Sequence, residues 1–278
     1  WCAPTSREGL PITRQGQPVT LEIDGHEVRL SNPDKVLFPG AGLTKRDLVD
    51  HYLRCAEFML DLVGDRPVTM RRFPDGVTED GWFQKHAPDH LPDWIRRVSL
   101  QGSGGEVTYV VIESPATLAV LANLAAIELH IGQVYASTPT RAVELILDLD
   151  PPSDDDPARV RRATRQVRDV LAELEVTHLV KTSGSRGFHV HVPLAAGASP
   201  QLARDLARGV ATILATRHPD ELTIEHRKAK RGGRVLVDWF RNSPGQTAIA
   251  PYSPRARTDA PVATPMGWHE LTGTDPQR

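Results

Sequence analysis

Cysteine is nearly missing from this 278-residue chain, which has 2. Cys2 and Cys55 are too few and too far apart for a disulfide framework or a zinc site, and that usage fits a reducing cytoplasm. Long apolar runs are missing too: none approaches the ~20 residues that a membrane helix needs, so no membrane span is expected. Nor is there a charge excess of either sign, because the formal net charge is −2. Bulk charge therefore does not announce a nucleic-acid binder, and the distribution of charge has to be read instead. No internal repeat and no low-complexity tract is present. There is no signal peptide, and the chain opens on Trp1 rather than Met, which predicts a segment processed or excised from something longer.

What is there is a length sufficient for one large domain or two small ones. Residues 1–18 are polar and rich in Pro and Gly, and read as a flexible lead-in; residues 19–278 read as a single domain. The runs 19–23 and 26–30 flank Asp24-Gly25 and predict a hairpin, followed by a loop over 31–39. Thr44 is placed to cap a helix through Leu48, Val49, Tyr52, Leu53, Ala56 and Leu60. Strands are expected over 67–74 and 107–112, and an apolar Ala/Leu-rich helix over 116–131. Further on, helices are expected over 157–174 and 201–216. Strands are expected over 143–150, 177–181, 188–193 and 234–240, with a Pro/Gly/Arg-rich ordered loop from Asn242. Mixed helices and strands of this kind predict an α+β, or mixed α/β, fold.

Charge is clustered. Acid gathers from Asp148 to Asp156, and base in Arg227-Lys228-Ala229-Lys230-Arg231-Gly232-Gly233-Arg234. The run Val143-Glu144-Leu145-Ile146-Leu147-Asp148-Leu149-Asp150 alternates with the period of a strand before Pro151-Pro152 ends it. On a strand, Asp148 and Asp150 share a face with Cα atoms roughly 6.5–7 Å apart. Carboxylates this close repel, and a hard divalent cation such as Mg²⁺ or Mn²⁺ relieves the repulsion. An isolated Asp-x-Asp is more often the end of a strand running into a solvated acidic turn; the apolar strand before it shifts the reading toward a site.

Ser183-Gly184-Ser185-Arg186-Gly187-Phe188-His189 puts hydroxyls, backbone N–H groups and a guanidinium into one turn, a combination suited to a phosphate chain and otherwise an ordinary Gly/Ser loop. His189 and His191 share a face of the strand that follows, His191 reading as the more structural of the two. Asp238 ends an apolar strand, either as a third carboxylate or as a strand-end salt-bridge partner. Trp82-Phe83 reads as core or, with Gly81 before it and Lys85 after it, as a surface stacking platform.

Taken in order, Asp148-Leu149-Asp150-Pro151, Lys181-Thr182-Ser183-Gly184-Ser185-Arg186-Gly187-Phe188-His189-Val190 and Val237-Asp238 resemble the polymerase domain of bacterial DNA ligase D, of the archaeo-eukaryotic primase superfamily. The resemblance extends through 31–39, 66–77, Gln84-Lys85-His86-Ala87-Pro88, 123–130 and 245–257, nearly the whole chain from about residue 20. It implies a primase-polymerase core with a central mixed sheet flanked by helices and an N-terminal extension. It also implies nucleotidyl transfer to a DNA primer 3′ end with two divalent ions, Mn²⁺ or Mg²⁺, in gap filling and end joining during double-strand break repair. The metal carboxylates then fall on Asp148, Asp150 and Asp238. Nucleotide contacts fall on Ser183, Arg186, His189 and Arg231, with Arg71, His130 and Arg255. Recognition of a DNA 5′-phosphate falls on Asn32, Lys35 and Lys45, and template stacking on Trp82 and Phe83. The implied partners are gapped or broken DNA ends bearing a 5′-phosphate, nucleoside triphosphates, a ligase and a DNA-end-binding protein, in the cytoplasm at the nucleoid. The family's preference for ribonucleotides and Mn²⁺ is also implied.

Two residues depart from the pattern: Arg186 stands where the family commonly has Lys, and Arg241 where Gln is usual. Arg for Lys keeps the charge and changes the geometry. The link from His130 to Asp148 is shorter than in ligase D, which suggests a stand-alone relative or a divergent branch. Two rivals are a metal-dependent phosphodiesterase or nuclease using Asp148, Asp150 and His189, and a non-catalytic DNA-end-binding module. The phosphate-cradling turn argues against the first and the acidic trio against the second.

Overall fold

A computed structural model describes residues 16–102, 104–153 and 156–277. Most of the expected lead-in, together with Cys2, Asp154 and Asp155, lies outside the described residues. The chain divides into two compact units, one of residues 1–131 and 249–262, the other of residues 132–248 and 263–278.

In the first unit, β1 (Val19–Ile23) and β2 (His26–Leu30) form the expected hairpin, with Asp24 and Gly25 both at positive φ. The expected loop over 31–39 instead contains β3 (Val36–Phe38), which pairs with β4 (Leu43–Thr44). Burial of Leu37 and Phe38 stabilises this short strand, a long-range effect that local turn residues do not report. α1 (Lys45–Val63) starts where predicted: the Thr44 side chain accepts from the Asp47 N–H while the Asp47 carboxylate accepts from the Thr44 N–H, a capping box. Its apolar face buries Leu48, Val49, Tyr52, Ala56 and Met59 in the core. The strands β5 (Pro67–Arg72), β6 (Trp82–Gln84), β7 (Arg97–Gly102) and β8 (Gly105–Val111) follow, all pairing antiparallel.

The helix expected over 116–131 is a correction. α2 covers only Pro115–Asn123; Ala125 sits at φ +54°, and the chain continues as β9 (Ala126–Gly132), antiparallel to β5. Ala, Ile and Leu bury equally well on a helix and in a sheet interior. What decides is the period-2 run Ile127-Glu128-Leu129-His130-Ile131 and the ladder available on β5.

The second unit is built on a mixed six-stranded sheet. Its strands are β10 (Glu144–Asp150), β11 (Leu179–Thr182), β12 (Phe188–Pro193), β13 (Leu222–Thr223) and β14 (Val235–Asp238), with α3 (Pro157–Glu173) and α4 (Pro200–Arg217) between them. The chain then contributes β15 (Thr247–Ile249) to the edge of the first sheet beside β9, and β16 (Pro265–Met266) closes the second. The second sheet runs β13-β14-β10-β12-β11-β16, with only the β13–β14 pair parallel. The loop expected from Asn242 is thus partly strand. Both helices pack on the face carrying Leu145, Leu147, Leu149, Phe188, Val190, Val235 and Val237. Alternation leaves Asp148, Asp150, His189 and Asp238 on the opposite face.

Candidate active site

The antiparallel register makes the site of the second unit. Asp148 on β10 is paired directly with Asp238 on β14 on one side and with His189 on β12 on the other. Residues paired in this way have Cα atoms about 4.5–5.5 Å apart, so two carboxylates far apart in sequence face each other across one strand spacing. Asp150 follows two residues along β10, with Leu236 as its partner.

Guanidinium groups close around these acids. Arg241 Nε donates to Asp148 Oδ2 at 3.1 Å and lies 3.4 Å from Asp238 Oδ2. Asp150 receives Arg231 at 2.8 Å on one oxygen and Arg186 at 3.3 Å on the other. His189 Nε2 stands 3.4 Å from Asp148 Oδ1, and Asp238 Oδ1 also accepts from the Phe240 N–H at 2.8 Å. Burial pushes the Asp148 carboxyl above its ordinary value; Arg241 opposes this, while Asp238 and Asp150 add to it. The negative charge of Asp148 in turn raises the Arg241 guanidinium, against the effect of burial.

Two local devices hold the frame. The Asn242 side chain donates to Ile146 O and accepts from Ile146 N, both at 2.7 Å, and donates to Trp239 O at 2.8 Å. It acts as one further rung of the ladder where β14 has ended, and so fixes Arg241 beside β10. In the turn between β11 and β12, Ser183 Oγ accepts from the Ser185 and Gly187 N–H groups, each at 3.2 Å, and Ser183 N donates to Gly187 O. His191 pairs with Glu144 at 2.8 Å, in keeping with a structural role.

The remaining predicted residues belong to the first unit. Arg71, His130 and Arg255 converge on Glu128, a carboxylate that the sequence reading missed. His130 Nε2 lies 2.8 Å from one of its oxygens, and Arg71 and Arg255 at 3.3 and 3.2 Å from the other, which also accepts from the Ala256 N–H. Burial alone would raise Glu128; the hydrogen bond from His130 and the charges of Arg255 and His130 outweigh it and hold the carboxyl at about 2. A lone Glu in the middle of an alternating apolar strand was the available signal. Trp82 and Phe83 are exposed, at 47% and 58%, so the surface reading holds. Arg71 lies over the Phe83 ring at 5.3 Å, Arg72 over Trp82 at 5.3 Å, and Phe83 meets His130 edge-on.

Asn32, Lys35 and Lys45 gather at the start of α1. The Lys45 N–H donates to Lys35 O and the Lys35 N–H to Asn32 O, and Lys45 Nζ lies 3.5 Å from Ser31 Oγ. Lys35 Nζ pairs with Asp75 at 2.6 Å. Burial, then the charges of Lys35 and Arg72, lower the Lys45 ammonium to about 8. A crowded cation at a helix N-terminus is a setting that an anion relieves.

The oxygen-only set of Asp148, Asp150 and Asp238 suits a hard divalent ion in kind and in mutual repulsion. The carboxylates are nevertheless turned onto guanidinium groups, and among the described residues no three His, Cys, Asp or Glu side chains form a cluster fit to hold a metal ion.

The acidic strand pair and the Gly/Ser turn thus lie side by side on one six-stranded antiparallel-rich sheet. The chain belongs to the LigD primase-polymerase domain family, whose model matches residues 44–278. It is 37% identical over 252 residues to the multifunctional non-homologous end joining protein LigD of Mycolicibacterium smegmatis, covering 90% of this chain and 33% of that protein. To the bifunctional LigD of Bacillus subtilis it is 29% identical over 262 residues, covering 94% of this chain and 41% of that one. The chain thus spans about a third of the length of the mycobacterial relatives it matches. The solved polymerase domain of Mycobacterium tuberculosis ligase D in complex with DNA matches with TM-score 0.84 and 39% identity over 90% of each chain.

Proposed function

We propose that this chain is a nucleotidyltransferase that extends a DNA primer 3′ end, filling gaps during end joining of double-strand breaks. The observation that carries the reading is the pairing of Asp148 with Asp238 on adjacent strands, with Asp150 two residues on. In this reading Asp148, Asp150 and Asp238 hold two divalent ions, Mn²⁺ or Mg²⁺. When bound, such ions supply activation of the primer hydroxyl and neutralisation of the triphosphate.

The chain's own residues do the positioning, which dominates phosphoryl transfer. In this reading Ser183, with Arg186, Arg231 and His189, offers charge and hydrogen bonds for the nucleotide phosphates, the turn being held in shape by its own N–H groups. Arg71, His130 and Arg255, held by Glu128, form a second nucleotide-contacting set. Asn32, Lys35 and Lys45 take the 5′-phosphate of the downstream strand, and Trp82-Phe83 stacks on the template. The family match runs through residues of both compact units. The partners are then phosphorylated DNA ends and nucleoside triphosphates, with a ligase and an end-binding protein alongside, at the nucleoid. Among the described residues no helix is long and apolar enough to cross a membrane.

The test is extension of a gapped duplex, with and without a 5′-phosphate, using ribo- and deoxyribonucleotides in Mn²⁺ and in Mg²⁺. Templated extension favouring the phosphorylated gap, with that preference lost in Lys45→Ala, is the expected result. Shortening of the DNA without triphosphates would identify a nuclease instead, and binding without turnover an end-binding module.

A further inference from the structure

Arg241 makes contacts that no role in nucleotide binding requires. Its Nε lies between two carboxylates that face each other across neighbouring strands, 3.1 Å from Asp148 and 3.4 Å from Asp238. That is where the reading above puts a divalent ion. Asp150 is satisfied separately, by Arg231 and Arg186; His189 lies 3.4 Å from Asp148 Oδ1 and His226 3.9 Å from Asp238 Oδ1, and Arg241 is the guanidinium that bridges the two acids. The residue sits on a 3-10 turn, Phe240–Asn242, that the Asn242 side chain pins to β10 independently of the guanidinium. Its side chain is 41% exposed, so it can leave for solvent without unravelling the turn.

We infer that Arg241 is a built-in counter-ion of the acidic site: it holds Asp148 and Asp238 together while no divalent ion is bound, and it must swing out for an ion to load. A cation that takes Oδ2 of both carboxylates displaces the guanidinium that bridges those two oxygens. Two buried like charges left without a partner would in turn destabilise the strand pair. Arg241 therefore exchanges stability of the metal-free protein for a weaker grip on the ion. It acts through Asp148 and Asp238, as a positioning residue. The inference rests on the reading of the acidic trio as a cation site.

The test is Mn²⁺ binding to the whole chain without nucleotide or DNA, followed by the electron paramagnetic resonance of free Mn²⁺, together with thermal unfolding with and without Mn²⁺. Arg241→Gln should bind Mn²⁺ at least about tenfold more tightly than the unmodified chain, as expected when charge-assisted contacts no longer compete. Its metal-free Tm should fall, and Mn²⁺ should restore it. Arg241→Lys, which keeps the charge, should bind between the two. A merely structural role predicts a loss of affinity, so a gain separates the two accounts. Affinity unchanged within twofold, or weakened, in a folded Arg241→Gln protein overturns the inference. Asp148→Asn assigns the result. If it removes Mn²⁺ binding in both backgrounds, the cation site stands and the outcome bears on Arg241 alone. If binding is indifferent to it, the site reading and this inference both fall.

Discussion

At the scale of single residues, the site depends on a few positions that tolerate no alternative. Gly187 is one: a Cβ there would overlap the Leu149 carbonyl oxygen on β10, one residue before Asp150. Glycine lets the turn approach the strand closely enough to set Arg186 beside Asp150. Gly184 in the same turn lies at φ +62°, which an L side chain rarely adopts. Gly187→Ala should therefore displace the turn rather than unfold the protein. The expected outcome is a loss of primer extension of roughly 100-fold, on the order reached when a positioning element shifts by an ångström, with far-UV circular dichroism preserved. Extension within a few-fold of the unmodified chain would mean that the turn does not need this approach. The residues themselves were legible as chemistry: Asp148, Asp150, Ser183, Arg186 and His189 stand in short motifs. Glu128 was not, because the run that holds it reads as a helix, and two of the basic groups that share it, Arg71 and Arg255, come from distant segments.

At the scale of elements, legibility followed the range of the forces involved. The β1–β2 hairpin and the start of α1 are decided within a few residues, by Asp24-Gly25 and by the Thr44–Asp47 capping box, and both are where the sequence puts them. β10 was legible because its alternation is strict and two prolines end it. β9 was not, since its residues suit a buried helix as well as a central strand, and pairing with β5 decides between the two. β3 likewise exists through pairing with β4, and β7 through pairing with β8. The facing of Asp148 and Asp238 also lay beyond the sequence. Each strand could be read alone, but a register shift of one residue would turn every side chain of β14 to the other face. Arg241 was noted as a departure from the family pattern; its bridging of two acids became visible only once that register was known.

At the scale of the whole molecule, two buried groups set the acid response. Burial lowers His51 from 6.5 to about 4 despite its hydrogen bond to the Tyr252 carbonyl. Glu128 is held at about 2 against an ordinary 4.5. Both folded values lie below the unfolded ones, so each group contributes stability that is present above its unfolded value and lost as pH falls toward its folded one. The loss begins with His51 below about 6.5 and continues with Glu128 below about 4.5. Asp148, raised by burial, works in the opposite direction. The urea midpoint should therefore fall from pH 7 to pH 4, His51 accounting for roughly 3 kcal/mol, and His51→Asn should flatten that part of the profile. A midpoint constant over this range would contradict the assignment. The central claim, that acids brought together by the β10–β14 register perform nucleotidyl transfer, is tested most directly by Asp148→Ala on a phosphorylated gapped duplex with Mn²⁺. The account predicts that extension is abolished while the protein stays folded and still binds the DNA; extension retained by the folded variant would contradict it.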